Sequence, residues 1–356
     1  MAEKAGFVPE KLGMACRVLE QEVTSGKVGA AALLVARDGV IAAERSYGRL
    51  RRDPSAPECR PDSVFLVASI SKPITALGVM KLVERGRIHL NDPVMKYLPD
   101  FRGDAREKIT VRQLLCHASG LPDMLPDNIP LRKRQAALKE FVAGTLHTPL
   151  LFPPGTKVSY QSMGILLAAE ILERVSGQKL DAFLQKEMFT PLGMRHSSMG
   201  LGRNRLEDTV QVDLPQTGDV PQTEADRAWS WNSPYWRDLG TPWGGMHTTV
   251  GDIALALEAM LDSGRPVLKP ETARAMVTDQ NQGLNLPWGL GWKVGRGAFY
   301  DGSAPEVFGH GGATGTVCWA DPGRKIVFVL FTNRPGVNDK TDFLHRLSGA
   351  VADAAA

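Results

Sequence analysis

The sequence predicts an α+β fold in which one antiparallel sheet is assembled from both ends of the chain and a mostly helical middle is inserted between them. Three observations carry this reading. A hairpin signal lies near the start, a second lies near the end, and the stretch between them has helical periodicity with few strand signals.

The first stretch, to about Val23, is amphipathic and reads as a helix. Residues 30–47 hold two apolar runs around Asp38-Gly39, a dipeptide suited to the positive φ angles of a tight hairpin turn. Near the other end, residues 315–320 and 325–332 flank an Asp-Pro-Gly-Arg turn at 321–324, and residues 342–354 read as a final helix. The middle predicts helices at 69–85, 111–116, 131–146, 163–175 and 250–261. Gly86 and Gly177 are placed to supply left-handed helix ends. Thr249 and Asp252 read as a capping box for the last of these. The expected division is 1–66 with 285–356 as a discontinuous α/β domain and 67–284 as a mostly helical domain, with the active site between them. Residues 201–242 lack periodicity yet contain Trp229, Trp231, Tyr235 and Trp236, with Trp243 just beyond. A loop of that length in a compact domain is usually functional or disordered. A hydrophobic wall for an acyl or alcohol group and a small satellite core are equally open readings of Trp229, Trp231 and Trp236.

Composition bounds the function. The 356 residues carry 42 basic and 39 acidic side chains, with 43% hydrophobic and 23% charged content, as in an ordinary globular protein. The basic runs at 49–52 and 132–134 have no interleaved aromatics, so they read as solvated loop charge and no nucleic-acid partner is expected. No apolar stretch approaches the roughly 18 residues of a membrane span, and the N-terminus has no apolar signal core. A cytoplasmic enzyme without a membrane partner follows as the expectation. Cys16, Cys59, Cys116 and Cys318 form no CxxC pair and lack a histidine at ligand spacing, so free thiols and no metal are expected. Nothing in the sequence specifies an oligomeric state.

The chemistry concentrates in three short segments. Ser69 and Lys72 are three residues apart, which puts them on nearly the same face of a helix. A serine hydroxyl becomes a useful nucleophile when a base takes its proton, and a lysine can do so once burial or nearby charge lowers its pKa. The apolar run from Ile74 offers that burial. Ser69 also falls at the helix N-terminus, where backbone N–H groups favour a developing oxyanion. A second Ser-x-x-Lys, Ser176 to Lys179, lies where a helix stops beside Gly177, and reads as a helix end. Tyr160-Gln161-Ser162 follows a Pro-Pro-Gly-Thr turn, and a phenol near a lysine is suited to proton relay. His310-Gly311-Gly312 precedes the final hairpin, where missing side chains let a substrate approach the backbone.

In this order, the three segments resemble the serine beta-lactamase and penicillin-binding protein superfamily, and within it the class C beta-lactamase-related esterases called family VIII carboxylesterases. ERGRIHLNDPVMKYLP, ITVRQLLCHASGLP, FPPGTKVSYQSMG, PLGM, WGGMHTTVGD and WGLGW extend the resemblance through most of the chain. It implies a beta-lactamase/transpeptidase-like fold, an antiparallel sheet flanked by helices plus a helical domain. It further implies an acyl-enzyme on Ser69, proton transfers shared by Lys72 and Tyr160, and an oxyanion hole from the backbone N–H groups of Ser69 and Ala313. Ser162, His310, Gly311 and Gly312 would line the substrate site, with no cofactor and no metal. Where the resistance enzymes carry Tyr-x-Asn and Lys-Thr-Gly, this chain has Ser162 and His310-Gly311-Gly312, which removes an amide, a cation and a hydroxyl. The resemblance with these departures implies a carboxylesterase for small or short-chain esters with weak beta-lactam turnover. A beta-lactamase or D-amino-acid peptidase, an acyltransferase to an alcohol, and a non-catalytic binding protein that keeps the fold are the alternatives. An α/β-hydrolase is excluded, because no Gly-x-Ser-x-Gly elbow precedes the His-Gly-Gly segment.

Overall fold

A computed structural model describes residues 1–214, 223–336 and 343–355. Its strands are β1 (Ala30–Arg37), β2 (Val40–Gly48), β3 (Phe65–Leu66), β4 (Ser198–Met199), β5 (Met246–Thr248), β6 (Phe308–Gly312), β7 (Thr316–Asp321) and β8 (Ile326–Thr332). Five of them form an antiparallel sheet in the order β2-β1-β8-β7-β6, so the two ends of the chain share one sheet as the hairpin signals predict. Asp38 and Gly39 both take positive φ, 51° and 75°, in the turn between β1 and β2. Between β7 and β8, an Asp321 carboxylate oxygen accepts from the Arg324 backbone N–H at 3.0 Å.

Both faces of the sheet are covered, which is why β1 and β8 read as continuous apolar runs rather than alternating ones. Ala31, Leu33, Val35, Ile326, Phe328 and Leu330 pack with the first helix (Pro9–Thr24) and the last (Phe343–Ala354). Ala32, Leu34, Val327, Val329 and Phe331 belong to the larger core that continues into the helical body through Val250–Leu261. Fully burying a side chain such as Leu330 or Phe331 contributes about 1.5–3 kcal/mol each. A second, three-stranded sheet, β3-β5-β4, ties the segment before Ser69 to residues 246–248.

Most predicted helices form at the expected places, including Ser71–Glu84, Val111–Leu115 and Met163–Ser176. The expected helix at 131–146 is instead two, Asn128–Lys133 and Leu138–His147. Gln135 turns left-handed with φ 54° between them, and the second helix starts afresh where Glu140 accepts from the Ala137 N–H at 3.0 Å. At the helix Val250–Leu261, Thr249 Oγ1 accepts from Asp252 N at 3.1 Å, but the Asp252 carboxylate turns away. It accepts from His196 N and Ser197 Oγ, both at 2.8 Å, so only half of the expected box is made. The expected start of the last helix, Asp342, lies outside the described residues. All four cysteines are free and buried. No helix among the described residues is long and apolar enough to cross a membrane.

Candidate active site

Ser69 sits in a 3-10 turn, Ala68–Ile70, that leads directly into the helix Ser71–Glu84. Ala68 is left-handed (φ 45°), an uncommon state for a residue with a Cβ and one that must be held by its surroundings. Ser71 is part of the hold: its hydroxyl donates to the Ala68 carbonyl at 2.6 Å and accepts from Met246 N at 2.9 Å. Val67 N also donates to the Met246 carbonyl at 3.0 Å. The fully buried Ser71 is thus a structural brace.

Lys72 Nζ lies 2.9 Å from Ser69 Oγ and 3.0 Å from the Trp243 carbonyl oxygen, with no solvent exposure. Burial lowers the amine from its ordinary value to about 7, against a smaller upward pull from Asp123. Near neutral pH a large fraction is therefore neutral amine, able to accept a proton. Tyr160 stands beside the pair, its ring 4.7 Å from Lys72 Nζ and its phenol hydrogen-bonded to Ser69. Burial pushes this phenol up, outweighing the lowering effect of Ser69, so the tyrosine is held protonated.

His117 fixes Tyr160 from behind. Its carbonyl accepts from Ser159 N at 3.0 Å and its ring Nδ1 from Gln161 N at 3.3 Å, one bond on each side of the tyrosine. The His117 ring lies 4.8 Å from that of Tyr160 and 4.6 Å from that of Trp288, centroid to centroid. Burial first, then the charges of Lys72 and His310, hold its imidazole well below the ordinary range and neutral. Thr75 Oγ1 donates to the Pro242 carbonyl at 2.8 Å, so the 242–246 segment braces the nucleophile helix at several points.

His310, Gly311 and Gly312 form the end of β6 along the cleft. A Cβ at Gly312 would lie 2.2 Å from the Val67 carbonyl oxygen, so only glycine lets this strand approach the nucleophile turn. His310 Nδ1 is 2.7 Å from the Gly311 carbonyl oxygen, and its buried Nε2 has no partner among the described residues. Burial, with help from Lys72 and Lys293, lowers His310 to about 3. It is a neutral ring at working pH and does not replace the missing cation. Ser162 is buried and donates to the Asp123 carboxylate at 2.6 Å, which directs its hydroxyl hydrogen away from an incoming carbonyl.

The cleft these groups face has a volume of about 710 Å³. Ser69, Tyr160, Ser162, His310, Gly311 and the exposed Ala313 line it, together with Asp123, Trp288, Lys293 and side chains of the last helix. Trp229, Trp231 and Trp236, expected as a possible acyl wall, lie elsewhere. The Arg132 guanidinium stacks on Trp229 and Trp236 at 4.8 and 4.1 Å, and Trp231 packs against the main core. Trp236 belongs to the main core as well, so these rings form neither a cleft wall nor a separate satellite core, and their stacking removes Arg132 from the expected solvated run. The described part of 201–242 is organised by the buried Arg237, which donates to the Trp231 and Val210 carbonyls at 2.6 and 2.9 Å. Ser176 also lies apart: its hydroxyl accepts from Gln178 N at 3.1 Å, while Lys179 pairs with Glu173 at 2.7 Å.

Reasoning from sequence missed Asp123, Lys293, the Trp243 carbonyl and the last helix as parts of the site. His117 and Trp288 fall within segments that carry the family resemblance, but neither has a spacing that marks a role.

The chain belongs to the Beta-lactamase family, whose match covers residues 16–352. It is 30% identical to penicillin-binding protein 4 of Amycolatopsis lactamdurans over 92% of this chain and 87% of that protein. It is 27% identical to a D-alanyl-D-alanine carboxypeptidase, so named provisionally, of Escherichia coli K12 over 94% and 84%. In fold it is similar to EstCE1, a hydrolase with promiscuous acyltransferase activity, with a TM-score of 0.77 at 20% identity over 96% and 99% of the two chains. Fold and family together define a serine hydrolase of the beta-lactamase and penicillin-binding protein type.

Proposed function

We propose that the protein is a carboxylesterase that cleaves small or short-chain esters through an acyl-enzyme on Ser69. The observation that carries this is the 2.9 Å approach of the buried Lys72 Nζ to Ser69 Oγ, with the amine lowered to about 7 and Ser69 lining the cleft. Neutral Lys72 takes the Ser69 proton as Oγ attacks the ester carbonyl. The backbone N–H groups of Ser69 and Ala313 stabilise the developing oxyanion. Tyr160, kept protonated, passes a proton to the departing alkoxide and is reprotonated through Lys72. Water then attacks the acyl-enzyme by the same groups in reverse.

Esters are favoured over beta-lactams because the β6 segment offers a neutral His310 and a glycine in place of a cation and a hydroxyl. Ser162 is committed to Asp123. The test is a substrate panel at pH 8. Nitrophenyl acetate and butyrate should exceed a chromogenic cephalosporin in kcat/KM by about ten- to a hundredfold, the worth of one charge-assisted contact. Equal or faster cephalosporin turnover would move the assignment to a beta-lactamase.

One observation favours a second reading, amide cleavage of an amine-bearing substrate. Asp123 exposes a carboxylate in the cleft, suited to an ammonium group. Including a D-alanine nitroanilide in the panel decides between the two.

A further inference from the structure

Lys293 is a cation in the cleft that the mechanism above does not use. Its backbone pairs with Gly309 at the edge of the sheet, with N–H to carbonyl distances of 2.9 and 3.1 Å, which places it alongside the His-Gly-Gly strand. The ammonium donates to the Ala298 carbonyl at 2.9 Å and lies 5.5 Å from the centre of the Phe299 ring. One of its three N–H groups is thus used. No carboxylate among the described residues pairs with it, and its proton affinity is lowered by burial alone. The cleft's own carboxylate, Asp123, is held by Ser162.

A half-buried ammonium without a counter-ion is costly to keep unless something else makes use of it. Its charge reaches the site, since it helps to hold His310 neutral. It lines the same cleft as Ser69, together with Gly311, Phe299 and Ala298. The His310-Gly311-Gly312 strand lacks the cation and hydroxyl of Lys-Thr-Gly, but a cation enters the cleft from the neighbouring segment.

Resting on the ester-hydrolase reading, we infer that Lys293 is a specificity-determining residue that binds a carboxylate on the substrate, so that the favoured esters carry an acidic group remote from the scissile bond. The apolar Phe299 and Trp288 walls would take the connecting chain.

The experiment compares mono-nitrophenyl glutarate with nitrophenyl butyrate on wild type, Lys293→Met and Lys293→Arg. The measured quantity is the ratio of their kcat/KM values. In Lys293→Met that ratio should fall about tenfold, mainly through a higher KM for the glutarate ester, and Lys293→Arg should retain most of it. A ratio unchanged in Lys293→Met overturns the proposal, because a merely structural residue lowers both substrates alike. Free glutarate should also raise the Tm of the wild type in a concentration-dependent way, and should do so much less in Lys293→Met. Should wild type hydrolyse neither ester, the esterase reading fails, and the glutarate-dependent Tm still decides the role of Lys293: no shift in wild type refutes it.

Discussion

Removing the Lys72 amine tests the catalytic base. An ordinary lysine with a pKa of 10.5 would be neutral in about one molecule in three thousand at pH 7, whereas at about 7 roughly half of the molecules carry the free base. Burial thus raises the population of the active form by about three orders of magnitude. The expected profile of kcat/KM for nitrophenyl butyrate rises about tenfold per pH unit below pH 7 and levels off above it. Lys72→Ala should lose about 10²–10⁴ in turnover, and with it the limb near pH 7. Stability gives an independent check. The unfolded chain protonates this lysine up to about pH 10.4, while the folded chain releases the proton near 7. The cost of burial is therefore fully present below pH 7 and disappears as pH rises toward 10.4. Lys72→Met should gain stability relative to wild type at pH 6, with the gain shrinking by pH 9. A flat activity profile from pH 6 to 9, or near-normal turnover in folded Lys72→Ala, would refute the assignment of the base.

Two further substitutions probe the surroundings of the nucleophile. Tyr160→Phe should keep the fold and lower kcat by about 10²–10⁴, and wild type should show no loss of activity from tyrosine ionisation up to pH 9, because burial holds the phenol protonated. Gly312→Ala should lower kcat by at least about tenfold, because the new methyl meets the Val67 carbonyl and displaces the turn that carries Ser69. Thermal melting checks that the variant is folded.

The parts of the fold written in local signals were legible. Asp38-Gly39 announced one hairpin, the 321–324 turn announced another, and Gly177 closed its helix as a left-handed residue should. The break at Gln135 was not, because both halves keep helical periodicity and the interruption depends on a backbone state and a cap at Glu140. In the site, Lys72 reaches Ser69 from one helical turn away, a juxtaposition their spacing makes readable, whereas Tyr160 comes to Lys72 from a distant segment that no spacing connects to it. The two Ser-x-x-Lys copies were separable because a helix start and a helix end differ electrically. Trp229 and Trp236 stayed ambiguous, since composition does not reveal that Arg132, far away in sequence, would stack on both. Asp123 and Lys293 are single charged residues in loop or edge segments, and only the folded chain brings them to one cleft.

The central claim is that Ser69 is acylated, and the most direct measurement is peptide mapping after reaction with a fluorophosphonate or a slowly released ester. The account predicts one adduct, on the peptide containing Ser69, formed with the pH dependence of Lys72 and absent in Ser69→Ala. An adduct on Ser71, which is committed to Ala68 and Met246, or on Ser176, or unchanged labelling of Ser69→Ala, would contradict it.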